Sequence, residues 1–536
     1  MSKDNSFIKG AAILGIAGVI VKILGAIYRI PIGNIIKTEG MGYYQTAYPF
    51  YVLLLTISTS GFPVAIAKLV SERRAIGDYK GAFKVFKIAL MGLFIGGTLT
   101  SLFVLLRADS IVRSLKNVNA YYALIGLVPA LFFVPIMATF RGFFQGRQDM
   151  VPTAISQISE QLFRVLSGLL FTYLLLDKGI PMAAGGASFG GSVGGIIGTV
   201  SIYLMYLSKR KEITKEVNNS LVHEEYTAGN IVKDLLVIAI PITIGAAIAP
   251  IMDTIDAGLV LNRLQSIGYT EASSNELYGQ LKGFAQTLIN LPQVFSIAIA
   301  MSLVPAISNA TARKRKDEIN NLISSGIRMT LLIGLPSALG LLVLAKPIIG
   351  LLYYNNTVET IASTGEILQY LSLGVVFLTL VQALTAMLQG LGKPIIPVIN
   401  LFIGAVFKLI LTYILTAIPS INVKGAAIST VVAYGVAAIL DLIMVRIVSK
   451  TKFEYMDIFI KPLISSVGMA IVVRLSYISL LNLLGSGLST IVSVIIGIIV
   501  YSILLIITGT ITNEDLALMP KGDVISEKIN KFKLLK

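Results

Sequence analysis

The chain has 536 residues, of which 55% are hydrophobic and only 13% are charged, and its mean hydropathy is +0.82. Soluble domains carry about 25% charged residues, so this composition excludes a soluble protein and indicates an integral membrane protein. Cysteine is absent, which excludes disulfides, a thiolate nucleophile and a cysteine-ligated metal.

Fourteen apolar segments follow one another along the chain, and each reaches the length of about 20 mainly apolar residues that a helix needs to cross a bilayer. They begin near residues 11, 43, 85, 120, 153, 183, 233, 283, 327, 361, 396, 425, 458 and 486. This pattern predicts an all-α integral membrane protein with about 14 transmembrane helices. The first segment is too long for a signal peptide and contains Lys22 and Arg29, so we expect it to remain as a span.

The net charge of +16 comes from Lys and Arg residues that cluster in particular loops. With both termini in the cytoplasm, about 30 of the 44 Lys and Arg residues lie on the cytoplasmic side, as the positive-inside rule requires. The charge therefore predicts the orientation of a multi-pass membrane protein, and it does not indicate a nucleic acid partner. The basic inner loops 68–84 and 313–328 are also suited to contact anionic membrane lipids.

Two short motifs recur at a separation of about half the chain. Residues 140–146 (FRGFFQG) return as 384–390 (LTAMLQG), and residues 61–67 (GFPVAIA) return as 303–309 (LVPAISN). Two echoes at nearly one offset indicate a duplication of six spans, and transporters built this way bind their cargo between the repeats. The predicted domains are an N-terminal lobe (1–232), a C-terminal lobe (233–450) and a final helix pair with a tail (451–536).

No enzyme motif occurs in the sequence. The glycines at 185–195 are not followed by a Walker lysine, and no HExxH or nucleophile elbow is present. The single histidine, His223, lies in a polar loop and is interpreted as a solvated residue. We therefore expect a protein that is not an enzyme, that holds no cofactor and that uses an ion gradient or the membrane potential.

Ionisable residues inside spans are costly and by default indicate function. Lys22 and Arg29 lie two turns apart on the first span, although Arg29 is also placed to snorkel to the surface. The fifth span carries Gln157, Glu160 and Arg164 on one face, with an internal ion pair expected between Glu160 and Arg164.

The repeat offset pairs Arg164 with Lys408 in the eleventh span. A cation at matching depth in both halves predicts a basic cavity for an anionic cargo such as a pyrophosphate. The alternative is a purely structural ion pair of Glu160 with Arg164.

Further polar residues occupy spans seven and eight. Asp253 and Asp256 follow Pro250, where oxygen ligands beside a broken helix suit a sodium ion or a proton, or else pair with Arg263 or Lys282 for structure. Gln286 and Asn290 share one face with Gln293 and suit either sugar hydroxyls or contacts between helices. The last two spans are nearly free of charge and suit either plain packing or a groove for an isoprenoid tail.

Several stretches resemble a known family. They are residues 25–31 (GAIYRIP), 38–44 (TEGMGYY), 61–72 (GFPVAIAKLVSE) and 141–146 (RGFFQG). The whole chain resembles the Gram-positive stage V sporulation protein B and MurJ-type lipid II flippases, which belong to the multidrug/oligosaccharidyl-lipid/polysaccharide exporter superfamily.

This resemblance implies movement of undecaprenyl-pyrophosphate-linked peptidoglycan precursor from the inner to the outer leaflet of the bacterial plasma membrane by alternating access. Lys22 matches a basic cavity residue of the family, and Arg29, Arg164, Lys408 and Lys282 are expected to supply the remaining charge. The family's sodium site resembles Asp256, Asn400 and Thr430 here, although Lys408 is placed to replace the ion. Cell-wall synthesis proteins are expected partners.

Other functions remain open on the sequence. The same pyrophosphate and tail occur on other lipid-linked polysaccharides and spore-cortex precursors. A multidrug and cation antiporter would favour twelve spans and an acidic cavity. A membrane scaffold would need no charges at the midplane.

Overall fold

The computed structural model describes residues 3–221, 226–451 and 453–510, with side chains from Ile13 onward. Helices account for 89% of the structure, and the described residues contain no strand, which confirms the predicted all-α fold. His223 lies outside the described residues.

The chain forms two compact units with a boundary between Gly279 and Gln280. The helices of the N-terminal unit are α1 (Lys3–Thr59), α2 (Phe62–Ala75), α3 (Tyr79–Ser114), α4 (Tyr121–Gly126), α5 (Val128–Gly146), α6 (Val151–Leu174), α7 (Ile180–Asn218), α8 (Ala228–Ser266) and α9 (Glu271–Tyr278). By its packing, α8 belongs to this unit, whereas the repeat assigns it to the second lobe. The lobes predicted from the repeat, at residues 1–232 and 233–450, therefore stay a prediction.

The boundary falls at the first residue of a π-helical turn, Gly279–Ala285, and the C-terminal unit contains a second such turn at Met456–Ile460. Its α-helices are α10 (Gln286–Ile289), α11 (Gln293–Ala312), α12 (Lys316–Val343), α13 (Ala345–Leu352), α14 (Val358–Ser372), α15 (Gly374–Gly390), α16 (Ile395–Leu415), α17 (Lys424–Ser449) and α18 (Lys461–Ile507).

The two longest helices, α1 and α18, are each broken near the middle. The 57-residue α1 would extend about 85 Å as one straight helix, against a hydrocarbon core of about 30 Å. Lys37 interrupts α1 at φ 55°, and Gly485 interrupts α18 at φ 71°. The left-handed backbone at these positions divides each helix into two spans.

Within the described residues, ten helices are long and apolar enough to span a membrane, or eleven if the bent pair α14 and α15 forms one span. The predicted fourteen spans require three additions to these eleven. Two come from division of α1 and α18 at their breaks, and the third is the 24-residue α6, whose polar face lowers its hydropathy.

Short polar side chains cap the N-termini of several helices. The Asp78 carboxylate accepts a hydrogen bond of 2.7 Å from the backbone N–H of Gly81 at the start of α3. Hydroxyls cap α8, α9 and α14 in the same way, through Thr227, Thr270 and Thr357. Each cap satisfies a backbone donor that the first turn leaves free.

The two repeated motifs of each half pack against each other. In the N-terminal unit α5 packs on α2, and a methyl group on Gly146 would lie 2.7 Å from Val70 Cβ. In the C-terminal unit α15 packs on α11, and a methyl group on Gly390 would lie 2.9 Å from Ile307 Cβ. The motif glycines therefore serve one close helix contact that occurs in both halves, which explains why both motifs recur.

Glycines of α7 allow a close contact with α6 in the N-terminal unit. A methyl group on Gly194 would lie 2.4 Å from the Glu160 carbonyl oxygen, and one on Gly190 would lie 2.5 Å from Gly168 Cα. Small residues let membrane helices approach until their backbones touch. This contact holds the polar face of α6 at a fixed position.

We expect Gly194→Ala to destabilise the protein by about 1–3 kcal/mol, because its methyl group has no space against α6. The matched control is Gly92→Ala in α3, where nothing lies within 4 Å of the added methyl group. That change should be neutral or stabilising by up to about 1 kcal/mol, since Ala favours a helix over Gly. The stability of both variants is measured by the loss of helical circular dichroism on heating in detergent. Equal stability of the two variants would contradict the α6–α7 contact.

Candidate functional site

The fifth predicted span is α6, and its polar face lies against α5. The Glu160 carboxylate accepts a hydrogen bond of 2.9 Å from Arg141 Nη2, and Arg141 Nε donates one of 2.9 Å to Ser156 Oγ. The direct ion partner of Glu160 is therefore Arg141, and the predicted ion pair with Arg164 is replaced by a longer-range electrostatic interaction. Sequence spacing placed both residues on one face, but a neighbouring helix supplies the counter-charge.

Arg164 lies among tyrosines of α1. It interacts electrostatically with Tyr44, Tyr48, Tyr51 and Glu160. No hydrogen bond or ion pair to its guanidinium occurs within residues 13–221, 226–451 and 453–510. The rings of Tyr44 and Tyr48 stack with centroids 5.4 Å apart, and those of Tyr48 and Tyr51 are 5.9 Å apart. The buried Tyr51 hydroxyl has no partner in the same ranges. This arrangement offers N–H donors, hydroxyls and aromatic faces to a ligand.

Two more cations of α1 belong to the same region. Arg29 interacts electrostatically with Tyr44, as Arg164 does. Gln161 of α6 approaches Gly25, midway between Lys22 and Arg29 on α1. Lys22 is exposed and makes no hydrogen bond or ion pair among the described residues. Lys22, Arg29, Arg164, Tyr44, Tyr48 and Tyr51 together are called the cation–tyrosine site below.

The other predicted polar residues occupy different places. Gln157 is half-buried on α6, outside the Arg141–Glu160 pair. In the C-terminal unit Lys282 lies in the π-helical turn, and the buried Gln286 Oε1 has no partner in the described part of the chain. Asn290 caps the end of α10 at the break before α11. These residues line a kinked stretch where polar atoms are available to a ligand.

The eleventh predicted span is α16, and its buried side faces α17. Lys408 is 8% exposed and Asn400 is 7% exposed, so both lie inside the protein. Asn400 Nδ2 donates a hydrogen bond of 2.8 Å to Asp441 Oδ1 of α17. The Thr430 hydroxyl donates to the Ala426 carbonyl of its own helix. Asn400 is therefore paired with a carboxylate that the motifs did not indicate.

The predicted sodium ligands fall in both units. Asp256 is buried in α8 of the N-terminal unit, whereas Asp253 on the same helix is exposed. Asn400 and Thr430 belong to the C-terminal unit. No group of three or more acidic or histidine side chains suited to a metal occurs in the described ranges. The sodium site stays a prediction.

An apolar groove of about 700 Å³ opens in the C-terminal unit between α18 and the helices α10 to α13. Leu291, Phe295, Pro336, Val473 and Ile498 are among the residues that line it. The helix pair at 461–507 therefore forms one wall of an open groove in addition to packing against the unit.

Three features of the site are not predicted from the sequence motifs. The tyrosines at 44 and 48 supported the family resemblance but were assigned no chemistry. Arg141 was read as part of a motif. Asp441 satisfies the rule that ionisable residues inside spans indicate function, and applying that rule to every carboxylate would have found it.

The family model described as polysaccharide biosynthesis protein matches residues 7–311, and the MatE model matches residues 282–414. Among Bacillus subtilis proteins, an uncharacterized membrane protein, YabM, is 32% identical over 97% of this chain and 96% of its own. Stage V sporulation protein B is 29% identical over 96% and 98% of the two chains. The lipid II flippase MurJ is 27% identical over 83% of each.

Solved structures show the same fold. A lipid II flippase MurJ in an inward closed conformation matches with a TM-score of 0.70 at 18% identity, over 92% of this chain and 97% of the other. An inward-facing multidrug resistance MATE family transporter of the MOP superfamily matches with a TM-score of 0.68 at 16% identity, over 80% and 94%.

We expect Arg141→Gln to destabilise the protein by about 1–3 kcal/mol, because it leaves the part-buried Glu160 carboxylate without its donor. Arg164→Gln should change stability by less than about 0.5–1 kcal/mol, since no hydrogen bond or ion pair is lost among the described residues. Denaturation in mixed detergent measures both. A double-mutant cycle with Glu160→Gln must give coupling to Arg141 and little to Arg164, and the reverse pattern would contradict this geometry.

Proposed function

Because the chain belongs to the polysaccharide biosynthesis protein family, we propose that it is a flippase for undecaprenyl-pyrophosphate-linked peptidoglycan precursor, lipid II. It is a multi-span membrane protein of the flippase and exporter type, and not an enzyme. In the proposed cycle it moves the precursor from the inner to the outer leaflet of the plasma membrane by alternating access, with both termini in the cytoplasm.

The observation that carries the proposal is the Arg164 guanidinium, which donates no hydrogen bond in the described ranges and interacts electrostatically with three tyrosines and with Glu160. A guanidinium binds phosphate oxygens through two parallel N–H donors. Arg29 and Lys22 on the adjoining stretch of α1 supply further positive charge for a diphosphate. Tyrosine faces and hydroxyls suit the sugar that follows it.

The tail of such a cargo is a long isoprenoid, and the apolar groove beside α18 suits it chemically. In this proposal the groove is open to the membrane, so that lipids lie beside the bound tail. The polar residues Lys282, Gln286 and Asn290 belong to the C-terminal unit as well, and they are proposed to contact the sugar and peptide portion.

Coupling is proposed to come from the membrane potential or from an ion. Transfer of one elementary charge through 100 mV is worth about 2.3 kcal/mol. If transport is coupled to an ion, we propose that sodium binds at Asp256, Asn400 and Thr430. If it is not, we propose that the charged Lys408 side chain takes the place of the ion.

A second candidate is a flippase for another lipid-linked glycan, such as a spore-cortex precursor. Its support is the similarity to stage V sporulation protein B, at 29% identity over nearly the full chain. Both candidates share the pyrophosphate and the isoprenoid tail, so the cation–tyrosine site serves either one.

The test is rescue of a bacterium depleted of its lipid II flippases, scored by lipid II in the outer leaflet. We expect the wild-type chain to rescue and Arg164→Ala to lower transport roughly 10- to 100-fold, the effect of about 1.5–3 kcal/mol for hydrogen bonds to a charged group. Lys22→Ala and Arg29→Ala should also weaken it.

Arg474→Ala is the matched control, because this exposed arginine donates only a long hydrogen bond of 3.4 Å to the Val343 carbonyl in the C-terminal unit. It should transport like wild type at equal membrane levels. Absence of rescue by a correctly inserted wild-type chain would overturn lipid II as cargo and favour the second candidate. Full activity of Arg164→Ala would exclude the cation–tyrosine site.

A further inference from the structure

Three lysines form a stripe on the first turns of α3. Lys80, Lys84 and Lys87 follow one another at intervals of four and three residues, so they share one face of the helix and are called the lysine stripe below. All three side chains are exposed, whereas Val85 and Phe86 on the opposite face are buried. The lysine stripe therefore points away from the protein.

The uncharged part of α3 determines the depth of the lysine stripe in the membrane. The stretch 88–106 carries no charged residue and extends about 28 Å. This length matches a hydrocarbon core of about 30 Å. Lys87 therefore lies at the edge of the core, and Lys84 and Lys80 lie about 4 and 10 Å farther out, across the headgroup layer.

The lysine stripe has no counter-charge in the protein. None of its ammonium groups forms an ion pair within the part of the chain that the structure describes, and the nearest carboxylates in the sequence, Glu72 and Asp78, pair with cations of α2. Lys87 Nζ lies 4.8 Å from the centre of the Phe83 ring, one turn closer to the start of α3. This cation–π contact directs the ammonium group toward the headgroups.

The same face continues along α3 as an apolar surface. Met91, Phe94, Leu102 and Leu105 follow the lysine stripe at helical spacing, and their exposed fractions lie between 48% and 68%. Positive charge in the headgroup layer thus lies directly above a surface that a hydrocarbon chain can cover. This order of charge and apolar surface matches a lipid with a negative headgroup.

The second half of the chain has the corresponding turn without such a stripe. The turns before α3 and α12 each contain one left-handed residue, Gly77 in the first and Lys314 in the second. At that offset the three lysine positions are occupied by Asp317, Asn321 and Ser324. Charge that only orients the protein can lie in the loops of both halves. Its continuation along a lipid-facing helix in one half indicates a further role.

We propose that the lysine stripe binds the headgroup of an anionic phospholipid whose acyl chain lies along Met91 and Phe94. Ammonium groups form charge-assisted hydrogen bonds to phosphate oxygens. A headgroup with net negative charge is attracted more strongly than a zwitterionic one, which carries no net charge. The surface belongs to a different helix from those of the cation–tyrosine site, and it does not rest on the proposed flippase function.

The test uses the absence of tryptophan from the chain, which lets one introduced tryptophan report on one place. The full-length Phe94→Trp protein is reconstituted in vesicles that contain phospholipids with brominated acyl chains, which quench tryptophan fluorescence on contact. The ratio of the binding constants of brominated phosphatidylglycerol and brominated phosphatidylcholine is measured. We expect a preference of roughly fivefold or more for phosphatidylglycerol, because one lysine near the surface contributes about that factor.

Variants of the lysine stripe show whether it causes the preference. Glutamine at all three positions should bring the ratio close to one with the Phe94→Trp reporter, and arginine at all three positions should keep the preference. The matched control is Phe402→Trp on α16, because Phe402 is 47% exposed and Phe94 is 48% exposed. The surface of α16 carries no lysine stripe, so this reporter should give a ratio close to one.

A ratio close to one with the Phe94→Trp reporter and the native lysines would overturn the proposal, and this measurement needs no lysine variant that folds. A preference that survives the loss of all three lysines, or that the Phe402→Trp reporter shows equally, would overturn it as well. None of these measurements requires transport or lipid II, so they stand or fail separately from the rescue experiment.

Discussion

The ion pair between Arg141 and Glu160 determines the electrostatics of the N-terminal unit. If Glu160 were paired along its own helix with Arg164, the polar face of α6 would be locally neutral and its guanidinium occupied. The pair with Arg141 instead satisfies the carboxylate from α5, at 2.9 Å, and leaves Arg164 to interact with the tyrosines. Gly142, next to Arg141, lies against Pro63 of α2. The repeated motif thus both packs α5 and places the counter-charge.

The fold follows from the sequence more directly than the site does. Continuous apolar runs predict helices because a lipid environment requires every backbone group to be paired within its own segment. The duplication can also be detected in the sequence. The same close helix contact, through Gly146 in one half and Gly390 in the other, constrains the residues of both motifs. Spacing on a helix shows which residues share a face. It does not show which neighbouring helix meets that face, and so Arg141 was not predicted as the partner of Glu160.

The two halves use equivalent positions differently. Arg164 and Lys408 occupy corresponding places in the repeat, and the sequence predicts a shared basic cavity from that match. The structure places Arg164 half-buried among aromatic rings, whereas Lys408 is 8% exposed on a seam of hydroxyl, amide and carboxyl groups. The duplicated cation therefore lies in two different environments, one half-buried beside aromatic rings and one buried on α16. Conservation of charge type between repeats does not imply the same role.

An arginine that forms no hydrogen bond or ion pair within the described residues also changes the energetics of the proposed cycle. Arg164 with a bound diphosphate forms a largely compensated pair, while the empty site keeps its positive charge. The loaded and empty forms then differ in the charge they move through the membrane field, at about 2.3 kcal/mol per charge per 100 mV. A guanidinium already neutralised by Glu160 would leave the empty site without net charge, so the return of the empty carrier would not respond to the potential. The same contact that exposes Arg164 to cargo therefore makes the return of the empty carrier sensitive to the potential.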